Sequence, residues 1–192
     1  MRTAVIVGVL GVILAVVGLA QTPSPPAVLT SADAVDVSHA EVQQFIKRGE
    51  NNPMKSMDAG SHVAFVWYEH RKAGSGGGEG TMMHSNITEI YYVVHGSATL
   101  RTGGRLLSPI RSDIPGMLPG TKEIPRFPVP TFRGKAEGGV SRKLTVGDIV
   151  VMGPNTIHAW ESIGPEGLGY LNLRIDPMKM LRGGYTHPLL VK

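Results

Sequence analysis

Three residues carry the combination best suited to holding a metal ion: His84, Glu89 and His158. Imidazole nitrogens and a carboxylate oxygen suit Zn, Cu, Mn, Fe or Ni. Two histidines and one carboxylate also leave coordination positions open for water or a substrate. His84 and Glu89 fall within residues 82–96, MMHSNITEIYYVVHG, and His158 follows a Gly-Pro-Asn turn within residues 147–162, GDIVVMGPNTIHAWES. Each histidine also has a structural reading, as a buried, hydrogen-bonded imidazole. The occurrence of all three residues in two separate strand-like stretches is what favours ligation.

The trio needs strands to bring it together. Side chains alternate across a strand, so Met82 shares a face with His84, Tyr91 and Val93 with Glu89, and Trp160 with His158. The polar residues 85–88 offer a turn that lets His84 and Glu89 meet. On this pattern Met82, Tyr91 and Trp160 line the cavity beside the three ligands. No residue is assigned a catalytic role. Glu69 and His70 are adjacent, so only one can face inward; either could exchange protons, but both read more simply as exposed strand residues.

The surrounding chain is rich in strand signals. Residues 62–71, HVAFVWYEHR, alternate aromatic and β-branched types, and residues 73–80, AGSGGGEG, form a loop. Residues 97–102 are expected to fold back as a hairpin closed by Gly103-Gly104, and 141–146 and 168–175 are further strands. Residues 106–139 hold many prolines and glycines and are expected to form a long loop covering the barrel mouth as a lid. The tail after residue 177 has no pattern that places it. Ahead of the strands, Ser38-x-x-Glu41 is a capping box for a short helix with Val42, Phe45 and Ile46 on one face and Gly49 as its stop. Many short strands behind one helix indicate an all-β barrel or sandwich.

Residues 4–20 are an unbroken apolar run preceded by Arg2, and Gly18-Leu19-Ala20 offers small residues for cleavage, the pattern of a secretory signal peptide. The expected organisation is a signal over 1–20, a proline-rich linker over 21–35, a helix and connection over 36–60, and a barrel over 61–192. The protein is then exported, periplasmic or secreted, with no membrane segment once the signal is removed. Removing Arg2 lowers the basic residues from 19 to 18 against 15 acidic ones, a balance too mild to indicate nucleic acid. There is no cysteine, which excludes disulfides and thiolate ligands.

In two blocks the chain resembles the cupin family. Gly76, His84, Glu89 and Gly96 stand in the register of the family's first block, with Met82 where another histidine is expected. Gly147 and His158 stand in the register of the second, with Gly153, Asn155 and Ser162 replacing its Pro, Gly and Asn. The resemblance covers about residues 62–176. It implies a double-stranded β-helix (jelly-roll) barrel, a divalent transition metal held by His84, Glu89 and His158, a small organic molecule as ligand or substrate, and a homodimer. Cupins include dioxygenases, isomerases and lyases as well as proteins that only bind, so an enzyme and a non-catalytic barrel with a vestigial site both remain open. A thioether is a poor ligand for Zn, Mn or Fe, which leaves three strong ligands where the family commonly has four.

Overall fold

The computed structural model describes residues 33–76, 80–112 and 130–191. The expected signal peptide, nearly all of the proline-rich linker and the centre of the expected lid lie outside these residues. Every element below belongs to the compact unit Ala34–Lys192.

Helix α1 (His39–Arg48) begins at the expected capping box. The Ser38 amide donates to the Glu41 carboxylate at 2.8 Å and the Glu41 amide donates to the Ser38 hydroxyl at 3.3 Å. Gly49 ends it with φ 65°, the left-handed conformation that glycine adopts most easily. Nine strands follow among the described residues: β1 (Asn52–Asp58), β2 (Val63–Arg71), β3 (Met82–His84), β4 (Thr88–Thr102), β5 (Arg105–Arg111), β6 (Thr131–Glu137), β7 (Val140–Thr145), β8 (Ile149–Met152) and β9 (His158–Asp176). All pair antiparallel, and the fold is the expected all-β double-stranded β-helix with one short helix in front.

Two long strands organise it. β4 and β9 pair from Thr88↔Ile175 to Thr102↔His158, with register shifts near Val93/His95, Gly96/Ala98 and Thr99/Leu100. Bulges bend a strand pair and increase its twist. The first half of β4 and the second half of β9 thus join β1, β2 and β8 in one sheet. Their other halves join β7, β3, β6 and β5 in the opposing sheet. Between the sheets lie Tyr91, Val93, Leu100, Leu144, Ile163 and Tyr170, all buried. A second cluster packs Val63, Phe65, Trp67 and Ile87 against Leu181 and Tyr185. On the outer side of the first sheet, α1 buries Val42 and Phe45 against Met54 and Tyr68.

Two expectations need correction, and two stretches without a detailed expectation gain a place. Residues 97–102 do not fold back: they continue β4, and Gly103-Gly104 leads into β5, which pairs with β6 rather than with β4. The glycine at position 96 invites a chain reversal in sequence, but here it serves a close crossing. The expected loop over 106–139 is strand at both ends, as β5 and β6. The connection after α1 contains β1, an edge strand in which a bulge accommodates Pro53. The unplaced tail packs back: Ser56 donates its amide to the Tyr185 carbonyl at 2.9 Å, and the His187 ring lies 4.9 Å from that of Phe45.

Gly96 has φ +68°, and a Cβ there would sit 2.0 Å from the Gly167 carbonyl oxygen. Gly103 has a similar φ of +80° but open space around it. Gly103→Ala should therefore lose only the left-handed backbone term, about 1–2 kcal/mol. Gly96→Ala should cost at least about 2 kcal/mol more, because backbone must also move. Urea denaturation of the two variants side by side checks the difference.

Candidate metal centre

His84 ends β3, Glu89 is the second residue of β4, and His158 opens β9. The turn over 85–87 brings the first two together, as the residue pattern requires. The second connection is fixed by Asn155, whose amide donates to the His84 carbonyl at 2.7 Å. Asn155 has φ 63°, a left-handed conformation that asparagine tolerates better than most non-glycine residues. This gives a physical reason for asparagine at a position where the cupin pattern carries glycine.

The three side chains converge. Glu89 Oε2 lies 3.8 Å from His84 Nε2 and 3.6 Å from His158 Nε2. All three candidate ligand atoms fall within 4.8 Å of one another, and all three residues are buried. Around an ion with bonds of about 2.0–2.1 Å neighbouring ligand atoms would sit closer together than this, so the three side chains would draw inward on binding.

The hydrogen bonds bear on the choice between ligand and structural histidine. His158 Nδ1 sits 3.0 Å from the Thr156 carbonyl oxygen, which can only accept. Nδ1 therefore donates there, and Nε2 is the ring nitrogen turned toward Glu89. His84 Nδ1 lies 2.9 Å from the Thr131 hydroxyl, which can orient that ring in the same way. Both Nε2 atoms are buried without a hydrogen-bond partner, and the Glu89 oxygen is too distant to serve. A buried, unpaired ring nitrogen is costly. The donor set fits a divalent ion bound at these three atoms.

A second layer holds Glu89. Asn172 Nδ2 donates at 2.9 Å to Glu89 Oε1 and at 2.9 Å to Glu69 Oε1. Arg174 spans the same two carboxylates, at 2.9 Å from Glu89 and 3.3 Å from Glu69. Tyr170 donates to Glu69 Oε2 at 2.9 Å, and Arg71 reaches that oxygen at 2.9 Å. With both donors on Oε1, Oε2 of Glu89 is left for the histidines or an ion. Burial alone would raise the Glu89 carboxyl. The Arg174 guanidinium, helped by the two histidines, outweighs it and holds the group down at about 2. Burial lowers His84 to about 4. Glu69 is likewise lowered against burial, by Arg71 and then Arg174.

A cavity of about 490 Å³ opens beside the trio. Met82, Tyr91 and Trp160 all lie along it, with Glu69, Arg71 and Arg133 among the polar groups. Tyr91 and Trp160 stack at 5.8 Å with 20° between their planes. Met82 is the register partner of His158, directly beside it.

Glu69 is a correction to the sequence reading: it is not an exposed strand residue but is buried and faces inward, while His70 faces the other way and is part-exposed. Tyr170, Asn172 and Arg174 were not singled out at all. Their signal was present as a polar i, i+2, i+4 series in residues 168–176, LGYLNLRID, but it alternates with Leu171, Leu173 and Ile175. The usual rule turns such leucines inward, and β9 does the reverse.

No protein-family model matches this sequence, and neither does any curated protein. Among solved structures, the chain is similar to BH2720 from Bacillus halodurans, with 12% identity and a TM-score of 0.45 over 79% of this chain and 87% of that one. It is also similar to a protein with a double-stranded β-helix domain from Klebsiella pneumoniae, with 15% identity and a TM-score of 0.41 over 76% and 93% of the two chains. KdgF from Halomonas sp. shares 18% identity, with a TM-score of 0.37 over 64% of this chain and 76% of that one.

The depressed values of His84 and Glu89 give acid sensitivity a definite sign. Between about 6.5 and about 4 the unfolded chain binds a proton at His84 that the folded state does not. Between 4.5 and about 2 the same holds for Glu89. Stability therefore falls as pH drops through both windows. Metal-free protein should show a melting temperature that declines steadily below pH 6.5. His84→Gln should flatten the upper part of that decline.

Proposed function

We propose that this chain is a cupin-type barrel that binds a divalent transition metal through His84, Glu89 and His158 and holds a small organic molecule at the open side of that ion. The observation that carries the reading is the pair of buried, unpartnered Nε2 atoms facing one carboxylate oxygen. Zn, Cu, Mn, Fe and Ni all suit this donor set. Export, as the pattern over residues 1–20 suggests, would leave the ion to be acquired outside the cytoplasm, where Zn or Cu compete well. When bound, the ion would polarise an oxygen of the ligand or a water molecule. The protein's part is to fix the three ligand atoms, to present Tyr91 and Trp160 as a flat wall and to limit solvent access.

A non-catalytic ligand-binding barrel is the second reading, and one observation favours it. Glu69 lines the cavity and does not belong to the trio, but both of its oxygens are engaged by Arg71, Tyr170, Asn172 and Arg174. A carboxylate so held positions its neighbours and is badly placed to exchange protons with a ligand.

Metal analysis tests the central claim. The protein, dialysed against a mixture of divalent ions, should retain about one equivalent per chain by elemental analysis, as three ligands require. His158→Ala and Glu89→Gln should each weaken retention at least tenfold while leaving the far-ultraviolet circular dichroism unchanged. Wild-type protein that retains no stoichiometric metal would remove the basis of this reading.

The proposal extends to a homodimer. The outer side of the first sheet carries Ile149, Val151, Tyr92, Leu173 and Ile175, each more than a third exposed. Register places Ile90 between Val151 and Leu173, and Leu173 beside Val66, so one apolar row crosses four strands. Monomers seldom expose so continuous a patch, and an apolar face is self-complementary across a twofold axis. Sedimentation should give a dimer for the wild type and a monomer for Val151→Glu.

A further inference from the structure

Two thioethers flank the trio. Met82 is the antiparallel register partner of His158, and Met152 is the register partner of Glu89. Residues paired directly across strands point to the same face, with Cβ atoms about 4.5–5.5 Å apart. The two sulfurs have different surroundings. Met152 is 3% exposed and belongs to the core between the sheets, with Leu144 and Val150. Met82 is half-buried and lines the cavity together with His158. It also stands two residues before His84 on β3, so strand alternation gives those two side chains one face. Its sulfur lies two bonds beyond Cβ on an unbranched, flexible side chain. A cross-strand separation of about 5 Å is one that such a chain and an imidazole can bridge through a shared ion.

The histidines complete a soft donor set. Their ring centroids lie 5.6 Å apart, and the Nε2 atom of each is buried without a hydrogen-bond partner. Two imidazoles and a thioether carry no charge as ligands. Soft sulfur ligands select cuprous copper, whereas carboxylate and water oxygens suit harder ions. Charge favours the same ion. Glu69 and Glu89 are in contact with Arg71 and Arg174, two carboxylates against two guanidinium groups. The carboxylate of the trio is thus already balanced by a cation 2.9 Å away. The cost of holding an ion away from water rises steeply with its charge, so a monovalent ion is the less costly guest beside Arg174. Among the metals suited to the trio, copper is the one with a stable monovalent form.

We propose that Met82 is a fourth metal ligand and that its thioether makes this a copper site, able to hold the cuprous as well as the cupric ion. This rests on the reading that His84, Glu89 and His158 bind metal, and it deepens that reading by naming the metal. Zinc and the other divalent ions are held by the trio. Cuprous copper is held by His84, His158 and Met82, with Glu89 the least needed of the four.

The test uses full-length protein stripped with chelator. Cuprous copper is offered without oxygen, in excess ascorbate, against the chromophoric chelator bicinchoninate, and zinc is titrated separately against a zinc chelator. Met82→Leu nearly conserves volume and apolar character, so its metal-free melting temperature should match the wild type. It should weaken cuprous copper at least about tenfold and leave zinc within about twofold. Met152→Leu should change neither metal. X-ray absorption at the copper edge should show one sulfur neighbour in the wild type and in Met152→Leu, and none in Met82→Leu. Equal cuprous affinity in the wild type and Met82→Leu would overturn the proposal. So would the absence of a sulfur neighbour, or one that persists in Met82→Leu. Zinc retention separates the two readings: zinc held with no sulfur on copper sinks Met82 as a ligand and keeps the trio. Retention of neither metal would remove both.

Discussion

The structure depends on burying two carboxylates without stranding them. Glu69 and Glu89 both lie inside the barrel, and each would be expensive there alone. Arg174 and Asn172 touch both, and Arg174 also stacks its guanidinium 4.8 Å from the Trp67 ring. One strand, β9, supplies Tyr170, Asn172 and Arg174 at every second position, so the support is as rigid as the sheet itself. Everything at the centre follows from this. Glu89 stays ionised, its inner oxygen is occupied, and its outer oxygen faces two imidazoles whose own orientation is set by Thr131 and the Thr156 carbonyl.

Local chemistry was the part most legible from sequence. The capping box of α1 and the strand at 63–71 are short-range patterns, and they appear where their residues indicated them. The convergence of His84, Glu89 and His158 was legible for a different reason: two turn signals and strand alternation constrain where such side chains can point. What escaped was non-local. Residues 97–102 were expected to fold back after Gly96 because a single sequence does not show that Gly167 passes within contact distance. Residues 106–111 and 131–137 looked like loop because prolines and glycines dominate the stretch between them, yet they pair with each other at long range.

The second layer was missed because β9 inverts the usual rule of apolar inside and polar outside. Leu171, Leu173 and Ile175 face outward, partly under α1 and partly exposed, while Tyr170, Asn172 and Arg174 face inward. Reading inward faces from hydrophobicity fails wherever an interior is built to hold charge. Met82 shows the complementary case. The sequence marked it as out of pattern, and in the structure it is the register partner of His158 on one side and of Arg133 on the other and gives the cavity beside the trio an apolar lining residue.

The continuity of β4 and β9 has an evolutionary corollary. Along each strand, successive residues belong alternately to the cavity and to the outer surface: Glu89 and Tyr91 on one side, Ile90 and Tyr92 on the other. A one-residue slip of the first half of β4 would exchange the two sets at once, turning Glu89 and Tyr91 to the outer face and Ile90 and Tyr92 to the interior. Substitutions can retune either surface separately, but length changes in these strands cannot. Lineages of this barrel are thus free to vary in the connections and confined to point replacement along its two longest strands.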